Sequence, residues 1–348
     1  MKILAISTIR NEGPFLLEWI AWHQMIGVTD FLVYSNDCAD SSDLLLDRLA
    51  DHGVLRHGYH EAPKEKSIHW NALNTAWSLD LHSSADWILI SDLDEFPVIH
   101  AGSGLVDLIG ALPEGTDAVA LAWRLFGFNG VNSFQDIPVT SQFTRSSPEI
   151  MIHPIAGTFF KSFFRPKAFA RPGIHRPKHR KDSQPNWVDG SGKPMPSHIS
   201  NNDKRLSLLG AGEVRELVEL HHYSVRSAQS FIVKSERGLP NHREKRVDLT
   251  YWIERNFNTQ ENTAALRFIP QLEQRIAVLK SLPGVAELHD ISVAWHKQRF
   301  RDLIATPEGY SLYCQILLAQ DSAVLPLQVQ QSLLRLFGDV RQDPKQDD

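Results

Sequence analysis

The feature that most restricts the fold is the alternation, through the first 125 residues, of short apolar runs with longer runs at helical spacing. KILAIST (2–8), FLVYS (31–35), GVLRHGY (53–59), WILIS (87–91) and AVALAW (118–123) read as strands. Between the first two stands GPFLLEWIAWHQMIG (13–27), which as a helix buries Phe15, Leu16, Trp19, Ile20 and Ile26. SSDLLLDRLADHG (41–53) closes on a glycine suited to a helix C-terminus, and SIHWNALNTAWSLDL (67–81) keeps Ile68, Ala72, Ala76 and Leu79 at helical spacing. This repetition predicts an α/β fold, a mixed but mostly parallel sheet flanked by helices. Such sheets bind ligands outside the carboxyl ends of their strands.

WILISDLDEF (87–96) ends an apolar run with Asp92, Asp94 and Glu95. A carboxylate withdrawn from water is costly unless a cation or hydrogen-bond donors compensate it. Asp92 and Asp94, two apart, lie on one side of an extended chain, and such a pair can hold a divalent cation that also takes phosphate oxygens. A cation there neutralises charge building on a departing diphosphate. Solvated acids capping a strand are the plainer alternative, and the place at the end of a fourth strand favours the cation. Thr8, Arg10 and Glu12 follow the first strand, and Asn36, Asp37 and Asp40 the second, so all three polar clusters are expected at one sheet edge.

Three stretches carry a resemblance: STIRNEGPFLLEWIAWHQMIGVTDFLVYSNDCADSSDLLLDRL, DWILISDLDEF and HHYSVRSAQSFIVKSERG. Together they resemble the glycosyltransferase family 2-like group of bacterial GT-A enzymes, close in pattern to family 92-type transferases, across residues 1–240. The resemblance implies a GT-A (Rossmann-like) fold, a nucleotide-sugar donor with UDP expected, and Mn²⁺ or Mg²⁺ at the DxD pair Asp92 and Asp94. It implies that Thr8, Arg10, Asn11 and Glu12 face the nucleotide and that Asp37 meets the base or ribose. NDCADSSD departs from the DDGSTD of ordinary family 2 members, which weakens Asp40 more than Asp37; a loop with Asp or Ser capping the next helix is the alternative. Of the pair His221 and His222, the resemblance makes His222 a third metal ligand, and imidazole beside carboxylates suits Mn²⁺ better than Mg²⁺. Lys234 and Arg237 share one helical face and are expected at the pyrophosphate as point charge and fork. His69, Asn71 and Asn74 are candidates for the donor sugar or ribose, with Asn71 taken as donor-binding.

An inverting transfer needs a base within reach of the acceptor hydroxyl. Glu95, Asp136, Glu149 and His153 qualify by type; Asp136, in the loop after the DxD strand, and Glu95 are taken as catalytic candidates. The segment RPKAFARPGIHRPKHRK (165–181) holds seven Lys/Arg, two His and no acid. Its prolines favour loop-like conformations, so it reads as a lid over the diphosphate, a seat for an acidic acceptor, or a solvated charged face. It has no aromatic ladder, and the net charge of −5 gives no global attraction to a polyanion, which excludes nucleic acid as a partner.

A chain of 348 residues, 42% hydrophobic, supports a large core. The expected organisation is a GT-A domain over 1–240 (a nucleotide-binding half, 1–125, and an acceptor and loop half, 126–240), with a helical C-terminal extension over 241–348. Helical patterns return in RLSLLGAGEVRELVELHHYS, SAQSFIVKSERG and ALRFIPQLEQRIAVLKSL, and the last helices, 291–303 and 310–337, read as a packing appendage. Cys38 and Cys314 fit no zinc pattern and read as free thiols. No apolar run approaches the roughly 18 residues of a spanning helix, and the N-terminal apolar patch is short for a signal peptide. A cytoplasmic protein is expected, compatible with peripheral contact at the inner membrane face, acting on a glycan or lipid-linked acceptor in cell-surface polysaccharide synthesis. Two readings compete: a haloacid-dehalogenase-like phosphatase with Asp92 as nucleophile and Asp94 as acid/base, and a non-catalytic sugar-nucleotide-binding module. The phosphatase pattern usually continues Gly-Thr and occupies the first strand, unlike this one.

Overall fold

The structure, a computed structural model, describes residues 1–60, 68–79, 81–237 and 247–342. The first 125 residues hold β1 (Ile3–Ile9), β2 (Asp30–Ser35), β3 (Arg56–Tyr59), β4 (Trp87–Ile90), β5 (Glu95–Ile99) and β6 (Ala118–Leu125). Then come β7 (Arg145–Ser146), β8 (Phe160–Phe164), β9 (Phe169–Arg171), β10 (Lys178–His179), β11 (Trp187–Asp189), β12 (Val218–His222) and β13 (Gln260–Glu261). The main sheet runs β3-β2-β1-β4-β8-β6-β12-β5, with β11 also beside β6. β1 to β4 are mutually parallel neighbours, and β8 enters antiparallel between β4 and β6. The α/β sheet is thus mixed and mostly parallel, as the alternation predicts.

β1 shows why its sequence is apolar without a break. Ile3, Ala5 and Ile9 join one core cluster, while Leu4 and Ile6 join the cluster on the opposite face. A strand covered by helices on both faces has no polar side to alternate with. β4 divides likewise, Trp87 and Leu89 to one face, Ile88 and Ile90 to the other.

The early helices are α1 (Gly13–Met25), α2 (Ser42–Asp51), α3 (Ile68–Ser78), α4 (Leu81–Ser84) and α5 (Leu105–Ala111), with short α6 (Val139–Gln142) and α7 (Ser197–Ser200) in the loop-rich middle. α8 (Ala228–Arg237), α9 (Leu249–Ile253), α10 (Ile269–Lys280), α11 (Val285–Ile304), α12 (Pro307–Leu318) and α13 (Leu327–Gln342) follow. One expectation needs correction. The run VELHH, read as helical, is strand β12, paired antiparallel with β5 and parallel with β6; a five-residue segment has too little periodicity to choose, and the open edge of β6 chooses for it. Ahead of the last helices, Leu272 and Leu279 of α10 and Val285 of α11 belong to the main core cluster, while Phe300 of α11 and Ile316 of α12 join a separate apolar cluster with Phe128 and Phe231. Among the described residues, no helix is long and apolar enough to cross a membrane.

Candidate active site

Because β1, β2 and β4 are parallel neighbours, the loops leaving them open on one edge. Asn11 and Asp37 turn those of β1 and β2 at φ 53° and 45°, a left-handed region that their short polar side chains tolerate. The two loops are bonded together. Asn11 Oδ1 accepts from Ala39 N at 2.7 Å, and Arg10 Nε donates to Asp37 O at 3.4 Å. Asp40, 1% exposed, accepts from Gly13 N and Ser42 N and so ties the start of α1 to that of α2. Thr8 is buried, with no hydrogen-bond partner on Oγ1. Glu12 is buried 4.0 Å from Arg226 Nη1. Arg226, at φ 53°, donates to Leu93 O and lies 3.5 Å over the Phe15 ring. A long side chain held at positive φ marks strain of the kind that collects at functional sites.

The acidic run is divided among separate cations. Asp94, 6% exposed, has Lys234 Nζ 2.7 Å from Oδ2 and His222 Nε2 3.5 Å from Oδ1. Burial pushes its carboxyl up, but Lys234 and His222 outweigh that and hold it well below the ordinary carboxylate range. Lys234 also donates to Ser224 O at 2.8 Å. β12 delivers His222, and α8 delivers Lys234. Asp92, half-buried, instead meets Lys161 Nζ at 2.8 Å.

Glu95 is wholly buried beneath this pair. It accepts from Trp123 Nε1 and Asp92 N, each at 2.9 Å, with Lys161 Nζ at 3.3 Å. Burial raises its pKa to about 8, with Asp92 and Asp94 adding to the rise and Lys161 opposing it. Lys161 stays charged because Asp92 and Glu95 outweigh its burial. Sequence reasoning missed this lysine. Its signal was available in FFKSFF, where one cation interrupts an apolar strand and needs a counter-charge. His175 was missed too: its Nδ1–H donates to Phe160 O at 3.0 Å, leaving the lone pair on Nε2. Burial and then Lys161 push its pKa down to about 3.

Other expected residues lie elsewhere. Asp136 bonds to His289 Nε2 at 3.0 Å and Lys280 Nζ at 3.5 Å, on α11 and α10. Glu149 is 3.9 Å from Arg124, and His153 N donates to Gln330 Oε1. Asn71 stands half-buried on α3, and Asn74 is exposed. The side chains of His69 and Arg237 lie outside the described residues. In the basic segment, Arg176 is 1% exposed, donates to the carbonyls of Ile199, Ser200 and Asn202, and lies over Trp187. Arg165 donates to Thr116 O and lies over Trp87, and Lys178 donates to Asp203 O. These three cations staple loops, so a lid or acceptor seat could draw only on the others. Cys38 and Cys314 are free, as expected.

Asp92, Asp94 and His222 do not form a cluster with ligand atoms within 4.8 Å of one another; among the described residues Asp136, His289 and Asp290 do. Of the three expected ligands, Asp94 and His222 stand nearest one another. Their 3.5 Å separation is long for a hydrogen bond, and His222 Nδ1 is buried without a partner.

Residues 3–204 match the model of glycosyltransferase family 92. A glycosyltransferase family 92 protein of Ricinus communis is 28% identical over 143 residues, which is 40% of this chain and 25% of that protein. Another, from Oryza sativa subsp. japonica, is 29% identical over 105 residues, 30% of this chain and 17% of that protein. The matched region thus spans a quarter or less of these curated relatives. Among solved structures, S. aureus TarS 1–349 in complex with UDP is similar at a TM-score of 0.30 and 16% identity, covering 48% of each chain. Glucosyl-3-phosphoglycerate synthase from Mycobacterium tuberculosis, in complex with Mn²⁺, UDP and glucosyl-3-phosphoglycerate, is similar at 0.25 and 19%, covering 35% of this chain and 44% of that one.

Proposed function

This chain belongs to glycosyltransferase family 92, its sheet is mixed and mostly parallel as the sequence predicts, and from that premise we propose that it has a GT-A fold and moves a sugar from a UDP-linked donor to a glycan or lipid-linked acceptor, in assembly of a surface polysaccharide. One observation supports this above the rest: the ionised Asp94 is bracketed by Lys234 and His222 at the edge where the β1 and β2 loops converge. An ammonium can bind a diphosphate directly, and a carboxylate with an imidazole can hold one through a divalent cation.

The donor set fits such a cation. Asp94 Oδ1 and His222 are proposed to hold Mn²⁺ or Mg²⁺, with Oδ2 remaining on Lys234. The ion, when bound, neutralises charge growing on the departing diphosphate. Asp92, braced by Lys161, is proposed to orient the donor and not to ligate the metal. Lys234 and Arg226 supply fixed positive charge along the diphosphate path. Glu95 acts as an interior strut and Asp136 as a tether of the C-terminal helices, because the oxygens of both are committed to other partners.

The phosphatase alternative gives way to the family match, and Asp92 ends the fourth strand, not the first. Calorimetry with UDP in Mn²⁺ and in EDTA tests the proposal. Binding in Mn²⁺ that weakens sharply in EDTA is expected; absence of nucleotide binding under both conditions overturns it.

A further inference from the structure

A cavity of about 420 Å³ opens beside the β1 and β2 loops. One wall is Arg10, Asn11 and Asp37, the loop residues expected at the nucleotide; the facing wall is α11, through Trp295, Arg299 and Asp302. A second, narrower cavity shares Asn11 and continues past Arg226 to Lys234, whose ammonium bonds Asp94. The two share Asn11 and so adjoin: the first presents the Trp295 ring with the carboxylates of Asp37, Glu236 and Asp302 and the guanidinium groups of Arg10 and Arg299, the second the cations Arg226 and Lys234 beside Glu12.

An aromatic ring among hydrogen-bonding groups, next to Arg226 and Lys234, suits a nucleoside diphosphate: a flat base and a ribose rich in hydroxyl groups, then two anionic phosphates. We infer that α11 supplies the outer wall of the nucleoside pocket, with Trp295 stacking on the base. This rests on the donor reading above and adds residues beyond 3–204, the part that matches the family. Asp37 and Asp302 offer acceptors to ribose hydroxyls and base N–H groups. Volume agrees as well, since small-ligand pockets begin near ~300 Å³.

α11 is also held where a wall must be held. Ser292 Oγ donates to Asp40 O at 2.8 Å, fixing the helix to the β2 loop. His296 Nε2 lies 3.2 Å from Ser230 Oγ, and Arg299 pairs with Glu236, fixing it to α8. Gly13 makes the close approach feasible, because a Cβ there would stand 2.2 Å from Ser292 Oγ. A rigid aromatic wall loses little entropy on stacking.

Titrations of UDP and of inorganic pyrophosphate, both with Mn²⁺, test the inference in wild type, Trp295→Leu and Trp295→Phe. Trp295→Leu should weaken UDP roughly ten- to hundredfold, the usual range for one base stack, and leave pyrophosphate unchanged. Trp295→Phe should recover most of the affinity while losing part of the UDP-induced tryptophan quench. Wild-type UDP affinity in Trp295→Leu, with Asp37→Ala defective, overturns the α11 wall and leaves the donor reading standing. Equal loss of UDP and pyrophosphate in Trp295→Leu also overturns it, as general damage to the fold. If Trp295→Leu does not fold, an unchanged quench in Trp295→Phe is the overturning result. A wild-type protein that binds pyrophosphate but no nucleoside diphosphate overturns the donor reading itself.

Discussion

Lys161 Nζ lies 2.8 Å from Asp92 Oδ2, and the lysine side chain is wholly buried. A buried ammonium survives only where its charge is answered, and here the answer is Asp92 with Glu95 at 3.3 Å. Lys161→Met removes the ammonium from Asp92 and leaves Glu95 to be buried as the neutral acid, so a loss of about 1–3 kcal/mol in unfolding free energy is expected. Denaturant titration measures it. Because Glu95 can take up a proton, Lys161→Met with Glu95→Gln should recover a good part, and a double-mutant cycle with no coupling would refute the clamp.

The two adjacent histidines have opposite duties. His221 Nε2 is 2.7 Å from the buried Glu219 and its Nδ1 3.1 Å from Tyr223 Oη, on the side of β12 away from Asp94. His221→Ala should therefore lower stability by about 2–3 kcal/mol. His222→Ala should cost less stability than His221→Ala and remove the Mn²⁺ dependence of UDP binding. Thermal melts beside calorimetry separate the two, and the reverse pattern would show the assignment to be inverted.

Asp94→Asn keeps the shape of the side chain and removes its charge. Lys234 then loses its counter-charge and the proposed ion loses an oxygen ligand. Slow hydrolysis of the donor by water should fall at least ~100-fold, followed as free sugar and intact UDP by mass spectrometry. Unchanged hydrolysis would remove Asp94 from the site.

Acid stability should report buried histidines. His23 and His296 are almost unexposed. Burial lowers their pKa from 6.5 to about 4 and to about 3, with Trp19 O opposing in the first and Arg226 assisting in the second. Both are neutral when folded and bind protons at the ordinary value when unfolded. Their contribution is complete above pH 6.5 and is lost as pH falls toward the folded value, at up to about 1.4 kcal/mol per unit for each. Asp94 and Glu219, held low, add their losses only below 3.8 and 4.5. Stability of His23→Leu between about pH 6 and about pH 5 should hence fall less steeply than that of wild type, and parallel curves would contradict the assignment.

By itself the sequence determined what depends on near neighbours. The unbroken apolar runs of β1 and β4 specified strands covered on both faces, the helical spacings specified α1 to α3, and DLDE at the end of β4 marked the charged edge. Hydrophobic periodicity is a local property and is written where it acts. Tertiary structure alone decided that VELHH is a strand, since its partners are β5 and β6, more than ninety residues earlier. It also decided that Asp92 and Asp94 go to different cations. Lys161 is 69 positions from Asp92 and Lys234 is 140 from Asp94, and no spacing rule spans such distances. The C-terminal helices are the clearest case: amphipathic spacing revealed α11, yet only packing against α1, α2 and α8 could place Trp295 opposite Asp37. A helix carries its own hydrogen bonds in its sequence, whereas the surface it covers is chosen by whichever apolar face the rest of the chain leaves open.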